Sequence, residues 1–370
     1  MKIVYFTHSL VSCWNHGNAH FLRGLLRELK ALGHDVHAIE PSDGWSRAHI
    51  ANEPGVEFEQ HFKENFPELD IVRTYDPDVD PEQLVDGADL VIVHEWTAPR
   101  IVRAVGRLKK WKNFTLLFHD THHRAVSEPA TLRLLDGGNY DGVLAFGESL
   151  ASVYRRAGWG SRAFVFHEAA DTRLFSPPRG ENRRTRKGAV WIGNWGDGER
   201  SEELQAFLFR PARRVGIPLD VYGVRYPDVA LEVLREAGAH YRGWIPNADV
   251  PGIFAKGSFT VHVPRRYYKT LLPGIPTIRV FEALASGIPL ISADWDDCES
   301  LFRPGTDFLM VRSEDEMAKA MKAVNADANL RAVLSRSGWE TIRARHTCAH
   351  RAAELLEIVH NLSPAMQGAA

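Results

Sequence analysis

The sequence predicts an α/β protein of two doubly wound parallel sheets, in two halves that face each other across a cleft. Two observations carry that expectation. Near the start, Ile3 to Phe6 reads as a short buried strand, followed by a loop with Gly17, a helix over about 18–32, Gly33, and a strand at 35–39. After residue 187 the same order restarts: a strand at 189–192, the turn GNWGDG, a helix at 201–209, Gly216, and a strand at 219–222. The order of elements repeats; the sequence does not.

Each element has its own signal. Leu22, Leu25, Leu26 and Leu29 recur at helical spacing on one face of the first helix. Short continuous apolar runs at 90–93, 114–118 and 143–146 read as strands buried on both faces, and helices are expected at 97–110 and 148–157. Strands at 259–263 and 288–293 complete the second sheet, and the C-terminal part reads as helices at 314–324, 328–336, 339–345 and 348–361. Between the halves stands SPPRGENRRTRK, led by Pro and Gly, strongly basic and aperiodic, as a wet linker must be. The expected organisation is a first domain at 1–175, a linker at 176–187, a second domain at 188–345, and a C-terminal helix and tail at 346–370, the helix packing back on the first domain. Both domains are Rossmann-like, and each should take ligands beyond the C-terminal ends of its strands.

Composition narrows the partners. At 370 residues the chain is long enough for two cores. Apolar content of 44% and a net charge of −2 suit a globular protein without the basic face that nucleic acid requires. Cys13, Cys298 and Cys348 are odd in number and far apart, which argues for a reducing compartment and against disulfides or structural zinc. No apolar run approaches the ~18–20 residues that span a bilayer. The first residues, MKIVYFTHSL, read as a strand and not as a signal peptide, so the cytoplasm is the expected location.

One stretch organises the rest: PGIPTIRVFEALASGIPLISAD, from Pro273 to Asp294. It predicts a short helix capped by Thr277 and stopped by Gly287, then a buried strand. Pro276, Thr277 and Ile278 bring a helix N-terminus to its entrance, where backbone N–H groups favour anions. Arg279 and Glu282 share one face, suiting a ligand with anionic and hydroxyl groups, although a surface ion pair explains them too.

Three stretches carry a family resemblance. NHGNAHFLRGLLRELKALGHDVHAIEP resembles the acceptor-domain start of GT-B glycosyltransferases, FHEAADTRLFSPP their segment with Asp171 and Phe175 in place, and RVFEALASGIPLISAD the signature of their second domain. The short R-x-F-E-A-L-A-S-G form is similar to the spore-maturation branch. The resemblance implies a retaining enzyme that needs no metal ion and no cofactor, with a nucleoside-diphosphate sugar as donor substrate. It implies that Glu282 accepts hydrogen bonds from the ribose diol, that the backbone at 277–279 faces the diphosphate, and that Trp244 and Ile245 hold the base. Gly193 and Arg200 at the glycine turn, and Gly17 in the first loop, join the donor-binding set; His119 and Asp120, at the end of the strand 114–118, are the implied catalytic pair. The acceptor is a glycan, a lipid-linked sugar or a small molecule.

The sequence departs from the family twice. No Lys follows Arg200 at the usual spacing, leaving Arg265, Arg266 or Lys269 to supply a second cation. The first of the family's two glutamates is missing, because its place before Glu282 is taken by Gly274. That loss keeps open a protein that binds nucleotide sugar without turnover, and a nucleotide-sugar 2-epimerase shares the fold. His8, His16, His94, Glu95, His119, Asp120, His122 and His123 crowd one rim and leave room for a metal-dependent hydrolase. The run RLKKWK at 107–112 would allow weak peripheral membrane contact.

Overall fold

The computed structural model describes residues 1–15, 17–53, 57–178, 187–196 and 198–362. The chain divides into two compact units, one made of Met1–Glu168 with the chain from Cys348 onward, the other of Ala169–Thr347. Most of the expected linker, 179–186, lies outside the described residues.

The first unit holds a sheet of β1 (Lys2–Phe6), β2 (Asp35–Pro41), β3 (Val72–Tyr75), β4 (Leu90–His94), β5 (Thr115–Asp120), β6 (Gly142–Ala145) and β7 (Ala163–Val165). Their order is β3-β2-β1-β4-β5-β6-β7, and every described pairing is parallel. The chain winds outward from β1 in one direction and resumes at β4 in the other, so the crevice of a doubly wound sheet falls between those strands. β1 from Ile3 to Phe6 and β4 from Leu90 to Val93 are apolar and buried, as strands covered on both faces must be. The helix Ala19–Ala31 packs Leu22, Leu25, Leu26 and Leu29 inward. The C-terminal helix Cys348–Leu362 packs against it and buries Cys348, Ala352, Leu355 and Val359.

The second unit repeats the plan with β8 (Ala189–Ile192), β9 (Leu219–Tyr222), β10 (His240–Gly243), β11 (Phe259–His262), β12 (Leu290–Ala293) and β13 (Leu309–Val311). The order is β10-β9-β8-β11-β12-β13, again parallel, with its reversal between β8 and β11.

Three sequence expectations are corrected. The helices read at 328–336 and 339–345 are one, Ala328–Arg345, because Gly338 is no stop. A Cβ there would lie 2.7 Å from Leu284 Cδ2, so the glycine lets two helices approach. The helix after Arg200 does not end at Phe209: a π-turn at Gln205–Phe209 joins Ser201–Leu204 to Arg210–Val215. Pro211 brings no N–H to the ladder, and the widened turn absorbs that loss. Thr277 takes the N-cap position with extended backbone, but its side chain makes no capping hydrogen bond. Gly287 does stop the helix Ile278–Ala285, at φ 60°.

Candidate functional site

At the reversal point of the second sheet two guanidinium groups meet on one side chain. Arg200 Nη2 donates to Asn194 O and Oδ1, both at 3.0 Å, and Arg265 Nη2 donates to the same Oδ1 at 3.0 Å. Asn194 follows β8 and Arg265 follows β11, so the sheet's crossing places them together. Arg200 also donates to Val263 O at 3.2 Å and lies over the Trp191 ring at 5.0 Å. Arg265 is paired with Glu199. Burial, then the charge of Arg265, lower the Arg200 guanidinium to about 9. Among the described residues its buried Nε has no hydrogen-bond partner. Two cations held this close are relieved by an anion.

Of the three cations considered, Arg265 is the one that shares Asn194 with Arg200, and each of the three is itself ion-paired. Arg266 is tied to Glu203 at 2.7 Å and Lys269 to Asp294 at 3.0 Å. Arg279, on the first turn of Ile278–Ala285, contributes to the same field, since its charge also lowers Arg200. Its guanidinium pairs with Glu282, whose carboxylate is fully buried. Pro276 is buried and Thr277 half-buried at the entrance of this helix, with Ile278 turned into the core.

Gly274 stands at φ 90°, where glycine is favoured, and a Cβ there would lie 2.6 Å from Cys298 Sγ and 3.2 Å from Glu299 Oε1. Space for a side chain at 274 is taken by the Cys298 thiol, with the Glu299 carboxylate beside it, both from the loop after β12.

Three neighbouring strands end in glycine: Gly193 after β8, Gly223 after β9 and Gly243 closing β10. Gly193 N–H donates to Tyr222 O at 2.9 Å and Gly223 N–H to Gly243 O at 2.8 Å. The result is a shelf of glycine backbone beside the arginines, with the Tyr241 hydroxyl donating to Gly223 O at 2.8 Å and Trp191 Nε1 to Gly193 O at 3.2 Å. Trp244 and Ile245 follow it, half-buried. The Tyr226 hydroxyl donates to Gly193 O at 2.9 Å, and its ring meets Tyr241 at 5.0 Å.

The residues expected to be catalytic lie inside the first unit. His119 is 0% exposed and is ringed by Tyr5, Phe21, His94 and Phe166. Its Nδ1 shares a hydrogen bond with the Tyr5 hydroxyl, and burial, then His94, hold the imidazole well below its ordinary pKa. Asp120 accepts from the Tyr154 hydroxyl at 2.5 Å and from His122 N–H at 2.8 Å. Burial, then the charge of Glu95, push its carboxyl up to about 8. Glu95 is raised to about 8 as well, chiefly by burial. It contacts His94 Nδ1 at 2.8 Å and accepts from the Thr121 hydroxyl at 3.2 Å. His119 and Asp120 are thus both enclosed at the end of β5 by side chains of their own unit. Gly17 sits in the loop before Ala19–Ala31, where Asn18 Nδ2 reaches Thr121 Oγ1 at 2.5 Å. His16 lies outside the described residues, and among those described no group of three His, Cys, Asp or Glu is set to hold a metal ion. No described helix is long and apolar enough to cross a membrane. In RLKKWK, Lys109 is tied to Asp141 and Lys112 to Glu82, both at 2.8 Å.

Residues 200–357 match a family model described as glycosyl transferase-like. No curated protein sequence matches the chain. Among solved structures, sucrose-phosphate synthase from Thermosynechococcus elongatus is similar at 16% identity and TM-score 0.67, over 98% of this chain and 99% of that one. Anabaena HepE, in complex with UDP and glucose, gives 13% identity and TM-score 0.70 over 98% and 100%. The β-glucosyltransferase of T4 phage, in complex with UDP and Mn2+, gives 14% and 0.62 over 98% and 99%. The fold is GT-B. On that GT-B frame, the matched segment contains Arg200, Arg265, Arg279 and Glu282 together.

Sequence reasoning singled out Arg200, Gly193 and Glu282 but left three cations equal as the second charge, and it overlooked Asn194, Gly223 and Glu299. A glycine directly after each of three successive strands was the available signal for the shelf. Nothing local marks Asn194 or Glu299, which are defined by what folds against them.

Proposed function

We propose that this chain is a glycosyltransferase that moves a sugar from a nucleoside-diphosphate sugar to an acceptor hydroxyl, with the donor held on the second unit. The observation that carries this reading is the pair Arg200 and Arg265 on Asn194, at the sheet's reversal point, with Arg279 entering from a helix N-terminus. Three guanidiniums can neutralise a diphosphate, so the reading includes no metal ion. The glycine shelf beside Trp244 and Ile245 suits a flat base held by backbone groups. Arg279 turns from Glu282 to the phosphates, and the released carboxylate takes the ribose diol.

The acceptor oxygen attacks the anomeric carbon as the bond from that carbon to the diphosphate breaks. The electron pair leaves on the diphosphate, stabilised by the arginines, and the acceptor's proton passes to the leaving phosphoryl oxygen. Attack from the face of the leaving group retains configuration; retention, like the spore-maturation branch, rests on the sequence resemblance. Tyr5–His119 and Tyr154–Asp120 act from behind, fixing the end of β5 and positioning Thr121 and His122.

Gly274 favours a second reading, a binding protein without turnover. Glu299 answers it by bringing a carboxylate beside the place Gly274 leaves. Incubation with a panel of UDP-, GDP- and ADP-sugars, with release of the nucleoside diphosphate measured, separates the two. Release on at least one donor supports transfer; tight binding with no release from any donor, with or without added acceptors, supports the binding protein.

A further inference from the structure

The reversal point of the first sheet has a feature that the donor reading leaves unused. Loops after four adjacent strands, β2, β1, β4 and β5, bring aromatic rings to one rim. Trp14 meets Trp45 edge-on at 5.9 Å, and Trp45 stacks on His8 at 4.6 Å. His8 faces Trp96 at 6.2 Å across the β1–β4 crevice, and Trp96 meets His122 at 5.2 Å. The row crosses four strands, or ~15 Å at ordinary strand spacing, which is wider than one pyranose ring. Trp45 remains 37% exposed, while Trp14 and Trp96 are half-buried.

Polar groups are interleaved with these rings. Trp14 Nε1 donates to Glu53 at 2.8 Å, and the Arg124 guanidinium lies over Trp96 at 4.4 Å. A lipid tail laid here would strip water from imidazole and guanidinium without replacing their hydrogen bonds. A polyanion would find a single guanidinium, Arg124, already laid over the Trp96 ring, and would meet the Glu53 carboxylate; burial lowers His8 to about 3, so it is neutral at ordinary pH. A sugar matches both parts, because the C–H face of a pyranose is apolar and electropositive against a π face, while its rim of hydroxyls seeks polar edges. The row's width asks for more than one ring.

On the acceptor side that the glycosyltransferase reading gives to this unit, we propose that the acceptor is an uncharged oligosaccharide lying along Trp14, Trp45 and Trp96, with His8 buried beneath Trp45 as the floor of the row. The inference rests on the glycosyltransferase reading for the word acceptor; the sugar site itself does not.

The test is saturation-transfer NMR and calorimetry of the full chain with neutral gluco-, manno- and chito-oligosaccharides of increasing length, with UDP titrated in parallel. The expected result is binding that tightens from one sugar to several, with saturation strongest on ring C–H protons. Trp45→Ala and Trp96→Ala should each weaken it at least tenfold and leave UDP affinity unchanged; Trp45→Phe and Trp96→Phe, which keep a ring, should retain most of it. Oligosaccharide binding without UDP binding would overturn the donor reading and leave the rim standing. UDP binding with no oligosaccharide bound, affinity unchanged by either Trp→Ala variant, or capture of neutral lipid vesicles in place of sugars would each overturn the rim proposal.

Discussion

Arg265 and Arg200 differ in what they can reveal. Arg200 is built into the turn after β8, whereas the Arg265 side chain keeps 18% of its surface and is held by Glu199 and Asn194. Arg265→Ala should therefore weaken UDP binding roughly tenfold to a hundredfold, the 1.4–2.7 kcal/mol of a charge-assisted contact, while uridine binding hardly changes. Calorimetry with both ligands checks it; equal losses would place Arg265 elsewhere than at the phosphates. Glu282→Ala should weaken UDP more than it weakens a 2′,3′-dideoxy analogue, whose sugar offers no diol. Stability should also report on the first unit's buried acids. Asp120 and Glu95 are raised in the folded state, so the native protein holds protons that the unfolded chain releases above its ordinary carboxyl pKa. Their contribution is complete below that pKa and is lost as pH climbs to about 8. His8, His94 and His262 are lowered to about 3, so they favour folding as pH rises to ~6.5 and add nothing beyond. Between pH 6.5 and 8 the acids act alone, and stability should fall by about 1.4 kcal/mol per pH unit for each proton. Asp120→Asn should flatten that slope in denaturant titrations; a slope unchanged by it would put the raised group elsewhere.

At the scale of elements, legibility followed burial and length. The helix read at 148–157 matches Glu148–Ala157, and β4 and β8 were plain as short apolar runs. β3, β7 and β13 were not: β3 is broken by Arg73 and Thr74, and β7 and β13 are apolar over only three residues and keep half-exposed positions. The helices Trp45–Ile50 and Phe58–Asn65 were also passed over, the first too short to display a period. Yet the loop that ends in the first of them carries Trp45, one ring of the aromatic rim. The helix Ile278–Ala285 was read well from Ile278, Phe281 and Leu284, while its closeness to Arg200 required the sheet's crossing. One stitch in this unit has no sequence signature at all. Asp307 is fully buried and accepts from Ser337 at 2.7 Å and Thr341 at 2.9 Å, anchoring Ala328–Arg345. Asp307→Ala should cost about 2–4 kcal/mol by leaving those hydroxyls unpaired. Chemical denaturation measures it; a loss under ~0.5 kcal/mol would deny the stitch.

Over the whole molecule, the sequence conveyed one design used twice, and each unit gathers a distinct cluster of side chains where its own strand order reverses. The first puts aromatic rings there and the second puts arginines, a division of labour that suits a neutral sugar and an anionic donor. The chain returns to the first unit through Cys348–Leu362, whose buried face covers Ala19–Ala31. The most direct test of the account is a calorimetric titration of the intact chain with UDP, GDP and ADP, with thermal unfolding followed in parallel. The account predicts stoichiometric binding of at least one, and about 2.7 kcal/mol of added stability at a hundred times its Kd, reduced to about 0.4–1.4 kcal/mol in Arg265→Ala at the same concentration. No binding and no shift with any of the three would contradict it.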